Sequence, residues 1–173
     1  MNLIAIDIGN TNIKIGLFMG AELKEVEVID ADDSAKIAET LKSFWNEIPI
    51  PQGSADHTVK AAVAASSVDK QAGEKIREIV ENELDQQLLV IGEEIPFPVE
   101  LAVDEPGKLG TDRILTACAA YAVAEKAVVV ADFGTALTFD VISPPGAYIG
   151  GVIAPGLSLM FDYLAEKTAL LPA

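Results

Sequence analysis

The chain of 173 residues is long enough for one ordinary domain or two small ones, and half of its residues are hydrophobic. Its net charge of −15 excludes a broad basic surface for nucleic acid, and its single cysteine excludes an internal disulfide. No apolar stretch reaches the roughly 18 residues of a membrane span, and the N-terminus lacks the basic flank of a signal peptide. We therefore expect a cytoplasmic protein with neither a nucleic-acid nor a membrane partner.

The first part of the chain predicts a mixed α/β unit, because strand-like and helix-like hydrophobic periodicities alternate along it. In chain order the predicted elements are strands at residues 2–9, 12–19 and 22–29, a helix at 35–48, a strand at 58–65, a helix at 68–84 and a strand at 86–92. Ser67 is a candidate cap for the second helix. This order indicates an antiparallel meander at one edge of the sheet, followed by parallel crossovers.

The second part of the chain repeats the first. Its predicted elements are a helix at residues 110–125, strands at 127–134, 136–142 and 147–154, and a helix at 158–171. The hexad at 130–135 matches the hexad at 5–10, and each copy is an apolar strand that ends in Asp-x-Gly. We therefore predict a duplicated domain with a boundary after residue 108. The second copy, residues 109–173, is expected to be incomplete because it has fewer elements than the first.

A polar corner joins the first two predicted strands. We call residues 7–14 the first corner; its members are Asp7, Ile8, Gly9, Asn10, Thr11, Asn12, Ile13 and Lys14. Glycine lets a ligand approach the backbone, the amides and hydroxyl can donate hydrogen bonds, and Lys14 adds a positive charge. Asp7 suits an anion that carries Mg²⁺, usually through bound water. The corner therefore fits either a phosphate-binding hairpin or an ordinary tight turn.

A second corner follows the strand at 127–134, and we define it as residues 132–135. Asp132, Gly134 and Thr135 correspond to polar positions of the first corner. In a duplicated fold the two corners are expected to face each other across a cleft and to clamp a polyphosphate.

The segment Gly110, Thr111, Asp112 and Arg113 lies at a predicted helix start, where N–H groups favour negative charge. Asp112 is either a helix-capping residue with Arg113 as its surface partner, or a general base near a substrate hydroxyl. In the second case Arg113 would bind a carboxylate or neutralise charge on a phosphoryl group. Phosphoryl transfer needs positioning, metal, a cation and a carboxylate, and all but the metal are available among these residues.

Four motifs in order resemble those of type III pantothenate kinases: DIGNTNIKIG, GTDR, DFGTALTFD and GAYIGGVIAPGL…TALLP. These enzymes belong to the acetate and sugar kinase/Hsp70/actin superfamily. The resemblance implies a duplicated ribonuclease H-like (actin-like ATPase) α/β fold with mixed sheets. It also implies a homodimer that uses ATP, Mg²⁺ and a monovalent cation, K⁺ or NH₄⁺, to phosphorylate pantothenate to 4'-phosphopantothenate, the first step of coenzyme A biosynthesis.

The resemblance also implies roles for individual residues. By position, residues 7–14 with Gly134 and Thr135 correspond to ATP contacts, and residues 110–113 to the pantothenate-binding segment. Asp112 corresponds to the catalytic base and Asp132 to the ligand of the monovalent cation.

The sequence departs from the family pattern at two places. Val103 stands where the family usually has a tyrosine, and family members continue past TALLP into a segment with a substrate-binding threonine and part of the dimer interface. Two alternatives to the kinase are a non-catalytic nucleotide-binding relative that acts as a transcriptional accessory or regulatory protein, and a superfamily kinase acting on a sugar or acyl acceptor.

Overall fold

The computed structural model describes residues 1–49 and 61–167. The chain divides into two compact units, Met1–Pro96 and Phe97–Ala173. The division falls before the predicted boundary at residue 108 because a short strand, Glu100–Leu101, pairs in parallel with residues 147–148 of the second unit. In the described ranges we find no helix with the length and hydropathy of a transmembrane span.

The first unit is a five-stranded mixed sheet with two helices. It contains strands β1 (Asn2–Ile8), β2 (Asn12–Met19), β3 (Glu22–Asp30), β4 (Ala61–Ser67) and β5 (Leu88–Val90), and helices α1 (Ser34–Glu47) and α2 (Lys70–Leu84). The strand order is β3-β2-β1-β4-β5. The meander β1–β2–β3 is antiparallel, and β4 and β5 are added in parallel, as predicted. Residues 58–60 of the fourth predicted strand lie outside the described residues.

The core of the first unit follows from the periodicities of its elements. Alternate residues of β1, among them Ile4, Ile6 and Ile8, are buried. Residues at helical spacing on α1 and α2, such as Leu41 and Val80, pack into the same cluster. One face of the sheet and both helices therefore share a single core.

The cap of α2 differs from the sequence-based expectation. Asp69, and not Ser67, occupies the N-cap position, and its carboxylate accepts the backbone N–H of Ala72 at 3.0 Å. The Ser67 hydroxyl donates to the Asp69 carbonyl at 2.6 Å. The prediction that Ser67 caps the helix was wrong because β4 continues through Ser67 and the helix begins later, at Lys70.

The second unit is a four-stranded sheet with order β6-β9-β8-β7. Its elements are β6 (Glu100–Leu101), a 3-10 turn (Pro106–Lys108), α3 (Thr111–Ala124), β7 (Val128–Phe133), β8 (Ala136–Ser143), β9 (Ala147–Pro155) and α4 (Leu157–Lys167). Ala117 of α3 packs with Ile142 and Tyr148 of the sheet in a small core. Residues 168–171 of the last predicted helix lie outside the described residues.

The predicted duplication is visible in the backbone hydrogen bonds. In the first unit the Gly9 N–H donates to the Asn12 carbonyl, and the Ala31 N–H donates to the Thr11 carbonyl. The second unit repeats both bonds, from Gly134 to Ala136 and from Gly156 to Thr135. Each meander also carries a register shift at the same place, at Leu17/Phe18 in one copy and Val141/Ile142 in the other. The two meanders are thus structural copies, and the second corner is one residue shorter.

Candidate functional site

The first corner is anchored in the core on both sides. The side chains of Ile8 and Ile13 are 1% and 2% exposed, so these two residues can offer a ligand only their backbone groups. Between them, the Gly9 N–H donates to the Asn12 carbonyl at 3.1 Å. A Cβ at Gly9 would lie 2.9 Å from that same oxygen, closer than van der Waals contact allows. The glycine is therefore required for the tight turn.

Asp7 and Lys14 face each other across β1 and β2 in this corner. The Lys14 Nζ lies 3.8 Å from the Asp7 Oδ2, and both side chains are more than half exposed, at 60% and 51%. A pair of this kind in water is weak, so either partner can turn to a ligand at little cost. The corner therefore presents one cation and one anion side by side.

Ser66 is a member of this site that the sequence did not predict. Its hydroxyl donates to the Asp7 Oδ1 at 3.0 Å, because parallel pairing of β1 with β4 sets Ser66 opposite Asp7. The available signal was the expectation that the carboxyl ends of two parallel strands meet at one sheet edge. Asn10, Thr11 and Asn12 complete the corner with exposed side chains.

The second corner has the same backbone pattern with different chemistry. The Gly134 N–H donates to the Ala136 carbonyl at 3.0 Å, and the Gly156 N–H donates to the Thr135 carbonyl at 3.0 Å. Asp132 lies opposite Thr138, so Thr138 occupies the position that Lys14 occupies opposite Asp7 in the first corner. No hydrogen bond or ion pair joins the exposed Asp132 carboxylate to another residue that the structure describes. This corner therefore offers a carboxylate without a neighbouring side-chain cation.

The start of α3 has an exposed carboxylate held close to the backbone. Gly110 is the N-cap residue and makes no side-chain cap, so Asp112 lies in the first turn and does not cap the helix. The Asp112 carboxylate lies over Gly110, where a Cβ would collide with its Oδ1. A negative charge at this position is favoured by the helix dipole.

Arg113, next to Asp112 on α3, forms a buried ion pair with Asp140 of β8. Its Nε lies 3.0 Å and 3.2 Å from the two Asp140 oxygens, and its Nη2 lies 2.6 Å from Oδ1. The side chains are only 14% and 4% exposed. The hydrogen bonds that Arg113 donates to Asp140 raise the pKa of Arg113, so the guanidinium stays charged. The interpretation of Arg113 as a surface partner of Asp112 does not fit this geometry.

Tyr148 and Gly151 of β9 complete this cluster. The Tyr148 hydroxyl donates a short hydrogen bond to the Asp140 Oδ1. Burial, together with this bond, raises the pKa of Tyr148 to about 12, so the hydroxyl remains protonated. A Cβ at Gly151 would collide with the guanidinium of Arg113 and the carboxylate of Asp140. This cluster was not predicted: the position of Asp140 among inward-facing residues of a strand could have indicated a buried carboxylate, but it gave no indication that Arg113 is its partner.

Val103 stands where the resemblance leads us to expect a tyrosine. Its side chain is partly buried against the small core of the second unit. A valine there fills core space and brings no hydroxyl to the segment before α3.

Comparisons with known proteins agree with this architecture. Residues 3–173 match the sequence model of the family described as type III pantothenate kinase. The chain is 37% identical over 170 residues to the type III pantothenate kinase of Moorella thermoacetica, with 98% of this chain and 66% of that protein covered. It is 38% identical over 172 residues to that of Sphingopyxis alaskensis, with 98% and 65% covered. The chain thus spans about two thirds of the length of the curated relatives that it matches.

Among solved structures, the type II variant of the Aquifex aeolicus Ppx/GppA phosphatase is similar with a TM-score of 0.53 and 16% identity, covering 99% of this chain and 58% of that one. Together with the paired meanders, this likeness shows the ribonuclease H-like, actin-like class of folds, as the resemblance implied. Within that class, the chain belongs to the type III pantothenate kinase family.

Proposed function

We propose that this chain phosphorylates pantothenate with ATP, giving 4'-phosphopantothenate and ADP, the first step of coenzyme A biosynthesis. Membership of the kinase family supports the reaction. The observation that carries the proposal for this chain is the exposed Asp112 carboxylate, held over Gly110 at the start of α3. A regulatory protein without chemistry has no need of a carboxylate so placed.

ATP is proposed to bind through its phosphates at the first corner. The buried Ile8 and Ile13 fix the backbone there, while Asn10, Thr11 and Asn12 present exposed donors. Lys14 can leave its weak pair with Asp7 and place its ammonium on a phosphate oxygen. Gly134 and Thr135 of the second corner are proposed as further ATP contacts.

The proposed metal ions fit the carboxylates of the two corners. Asp7 offers Mg²⁺ one exposed carboxylate steadied by Ser66. The described residues contain no cluster of three metal-binding side chains, and Mg²⁺ bound to a nucleotide often needs only one or two carboxylates besides phosphate and water. Asp132 is proposed to hold the monovalent cation, K⁺ or NH₄⁺. Bound Mg²⁺ would neutralise charge on the phosphate oxygens.

Asp112 is proposed as the general base, and Gly110, Thr111 and Arg113 as its neighbours in pantothenate binding. The Asp112 carboxylate accepts the proton of the pantothenate hydroxyl, whose oxygen forms a bond to the γ-phosphorus while the bond from that phosphorus to the β,γ-bridging oxygen breaks. ADP leaves with the electron pair of the broken bond. We further propose that the protein works as a homodimer in the cytoplasm.

The test is a coupled ADP-release assay with pantothenate, ATP, Mg²⁺ and K⁺. We expect pantothenate-dependent turnover that falls by about 10²–10⁴-fold in Asp112→Asn. Asp104→Asn removes an exposed carboxylate from the preceding loop and serves as the matched control, with turnover expected to stay within about twofold. ATP binding without turnover, or equal losses in both variants, would reject the proposed function for this chain.

A further inference from the structure

We propose that Asp140 and Tyr148 are positioning residues that hold the Arg113 guanidinium with its outer edge turned to the carboxylate of the substrate. This inference rests on the proposed function, and it adds two residues that do not themselves touch substrate. It explains why Arg113, in the segment 110–113 that is expected to bind substrate, forms a buried ion pair with Asp140.

Asp140 occupies only one side of the Arg113 guanidinium. Asp140 receives the Nε–H and one N–H of Nη2, both on one side of the guanidinium. The Nη1 of Arg113 donates no hydrogen bond to any residue that the structure describes. The end of the guanidinium therefore keeps one N–H on each terminal nitrogen, a fork that matches the two oxygens of a carboxylate.

The Arg113 guanidinium has little freedom to rotate. The Asp140 carboxylate is only 4% exposed, and its Oδ1 accepts the Tyr148 hydroxyl as well as an N–H of the Arg113 Nη2, so the carboxylate is fixed in place. Gly151 leaves the space in which the guanidinium lies, and this space is also bounded by the backbone carbonyl of Phe139 on β8. An arginine held in this way loses little conformational entropy when a ligand binds.

The Arg113–Asp140 pair favours a ligand with a single negative charge. Asp140 already compensates much of the positive charge of Arg113, because the two groups form a buried ion pair with hydrogen bonds of 2.6, 3.0 and 3.2 Å. The outer end of the guanidinium therefore offers a ligand two N–H donors in a fixed direction and a small residual positive charge. This suits a singly charged planar carboxylate better than the polyphosphate of ATP, for which the exposed Lys14 is better placed chemically.

The experiment measures equilibrium binding of two ligands by calorimetry. One ligand is pantothenate, and the other is its neutral alcohol analogue, in which CH₂OH replaces the carboxylate. In Asp140→Asn we expect affinity for pantothenate to fall by about tenfold or more, while affinities for the alcohol and for ATP stay within about twofold. Asp162→Asn, which removes an exposed carboxylate from α4, is the control and should change none of the three affinities.

Tyr148→Phe is the second variant, and it decides the outcome if circular dichroism shows that Asp140→Asn does not fold. It keeps the ring in the core and removes only the hydroxyl that steadies Asp140. We expect a loss of about three- to tenfold for pantothenate and again little change for the alcohol. Arg113→Lys should weaken the preference for pantothenate over the alcohol, because an ammonium keeps the positive charge but has no planar fork.

Three results would overturn the inference. These are equal losses for both ligands, no loss for either, and a loss confined to ATP, which would assign Arg113 to phosphate. Turnover of pantothenate by the unaltered chain together with any of these results rejects the inference and leaves the proposed function standing. An unaltered chain that binds neither ligand rejects both.

Discussion

Two glycines of the second unit make room for charged side chains. The Asp112 carboxylate lies over Gly110, and the Arg113 guanidinium lies over Gly151. Gly110 has a φ of −65°, which any residue can adopt, so only the missing Cβ explains its presence. At the scale of single residues, the positions of the Asp112 and Arg113 side chains thus depend on Gly110 and Gly151 having no Cβ.

Gly110→Ala should separate activity from stability. The added methyl group would push the Asp112 carboxylate from its place, so kcat should fall at least about tenfold if Asp112 is the general base as proposed. The carboxylate is the end of a flexible side chain and can move aside, so the free energy of unfolding should fall only by about 0.5–1 kcal/mol, the difference between glycine and alanine at an N-cap position. The ADP-release assay and urea unfolding measure the two quantities.

Gly107→Ala is the matched control for this substitution. A Cβ at Gly107, in the 3-10 turn before α3, would meet no atom within 4 Å. We expect its kcat to be unchanged. A similar loss in both variants would mean that backbone stiffness, and not the position of Asp112, limits the reaction.

Tyr148 gives the second unit a distinctive dependence on alkaline pH. Its pKa is raised by burial from the ordinary 10 to about 12 in the folded protein. The stability linked to this shift is complete below pH 10, because the phenol is then protonated in both states. It is lost as the pH rises from 10 to 12, because the unfolded state releases its proton first.

Tyr148→Phe removes the titrating group and so tests this linkage. Between pH 9.5 and 11.5, the difference in unfolding free energy between the natural chain and the variant should shrink by about 2 kcal/mol. Urea titrations at both pH values measure it. A difference that stays constant would show that Tyr148 titrates alike in the folded and unfolded states.

At the scale of elements, the meanders were predictable and the buried cluster was not. Alternating apolar residues specify β1 and β2, and the repeated Asp-x-Gly specifies both corners, because these signals are local in the sequence. Arg113 and Asp140 are 27 residues apart and meet only because α3 packs across β8. No local pattern encodes such a crossing. Asp69 was missed as a cap for a simpler reason, since Ser67 two residues earlier is an equally good capping residue.

The second corner depends on a close approach between β9 and the turn. A Cβ at Gly156 would collide with the carbonyl oxygens of Gly134 and Thr135, which are backbone atoms and cannot swing aside. Gly156→Ala should therefore lower the free energy of unfolding by about 1–3 kcal/mol. Chemical denaturation with circular dichroism is the measurement.

Gly134→Ala offers a contrast within the same turn. Its Cβ would lie 3.6 Å from the Ala136 carbonyl, an ordinary contact, so we expect a change below about 1 kcal/mol. If Gly134 is an ATP contact as proposed, this variant should bind ATP more weakly while remaining folded. Equal stability of the two variants would contradict the argument from close approach.

At the scale of the whole molecule, the two units have unequal cores. The first unit buries a large cluster drawn from β1–β5, α1 and α2, whereas the buried cluster in the described part of the second unit consists of Ala117, Ile142 and Tyr148. Its last described helix, α4, has no buried residue. Since burial of apolar surface is the main source of stability, we expect the second unit to unfold first.

The chain contains a natural reporter for each unit. The single tryptophan, Trp45, packs against the core of the first unit, and the single cysteine, Cys118, packs against that of the second. In a urea series, the rate of Cys118 modification by a thiol reagent should rise at lower urea than the change in Trp45 fluorescence. Coincident transitions would mean that the two units unfold as one.

The register shift between β2 and β3 affects how the exposed edge strand β3 can pair with another copy of the protein. In the described part of the chain β3 lies at the edge of its sheet, and its half-exposed Leu23, Val26 and Val28 could template the strand of a neighbouring copy. The shift at Leu17/Phe18 breaks the regular pairing of β2 with β3, while Glu25 and Glu27 line the same strand with negative charge. Aggregation through this edge is opposed by both features, so the protein can keep apolar residues on an open edge and still resist forming intermolecular sheets.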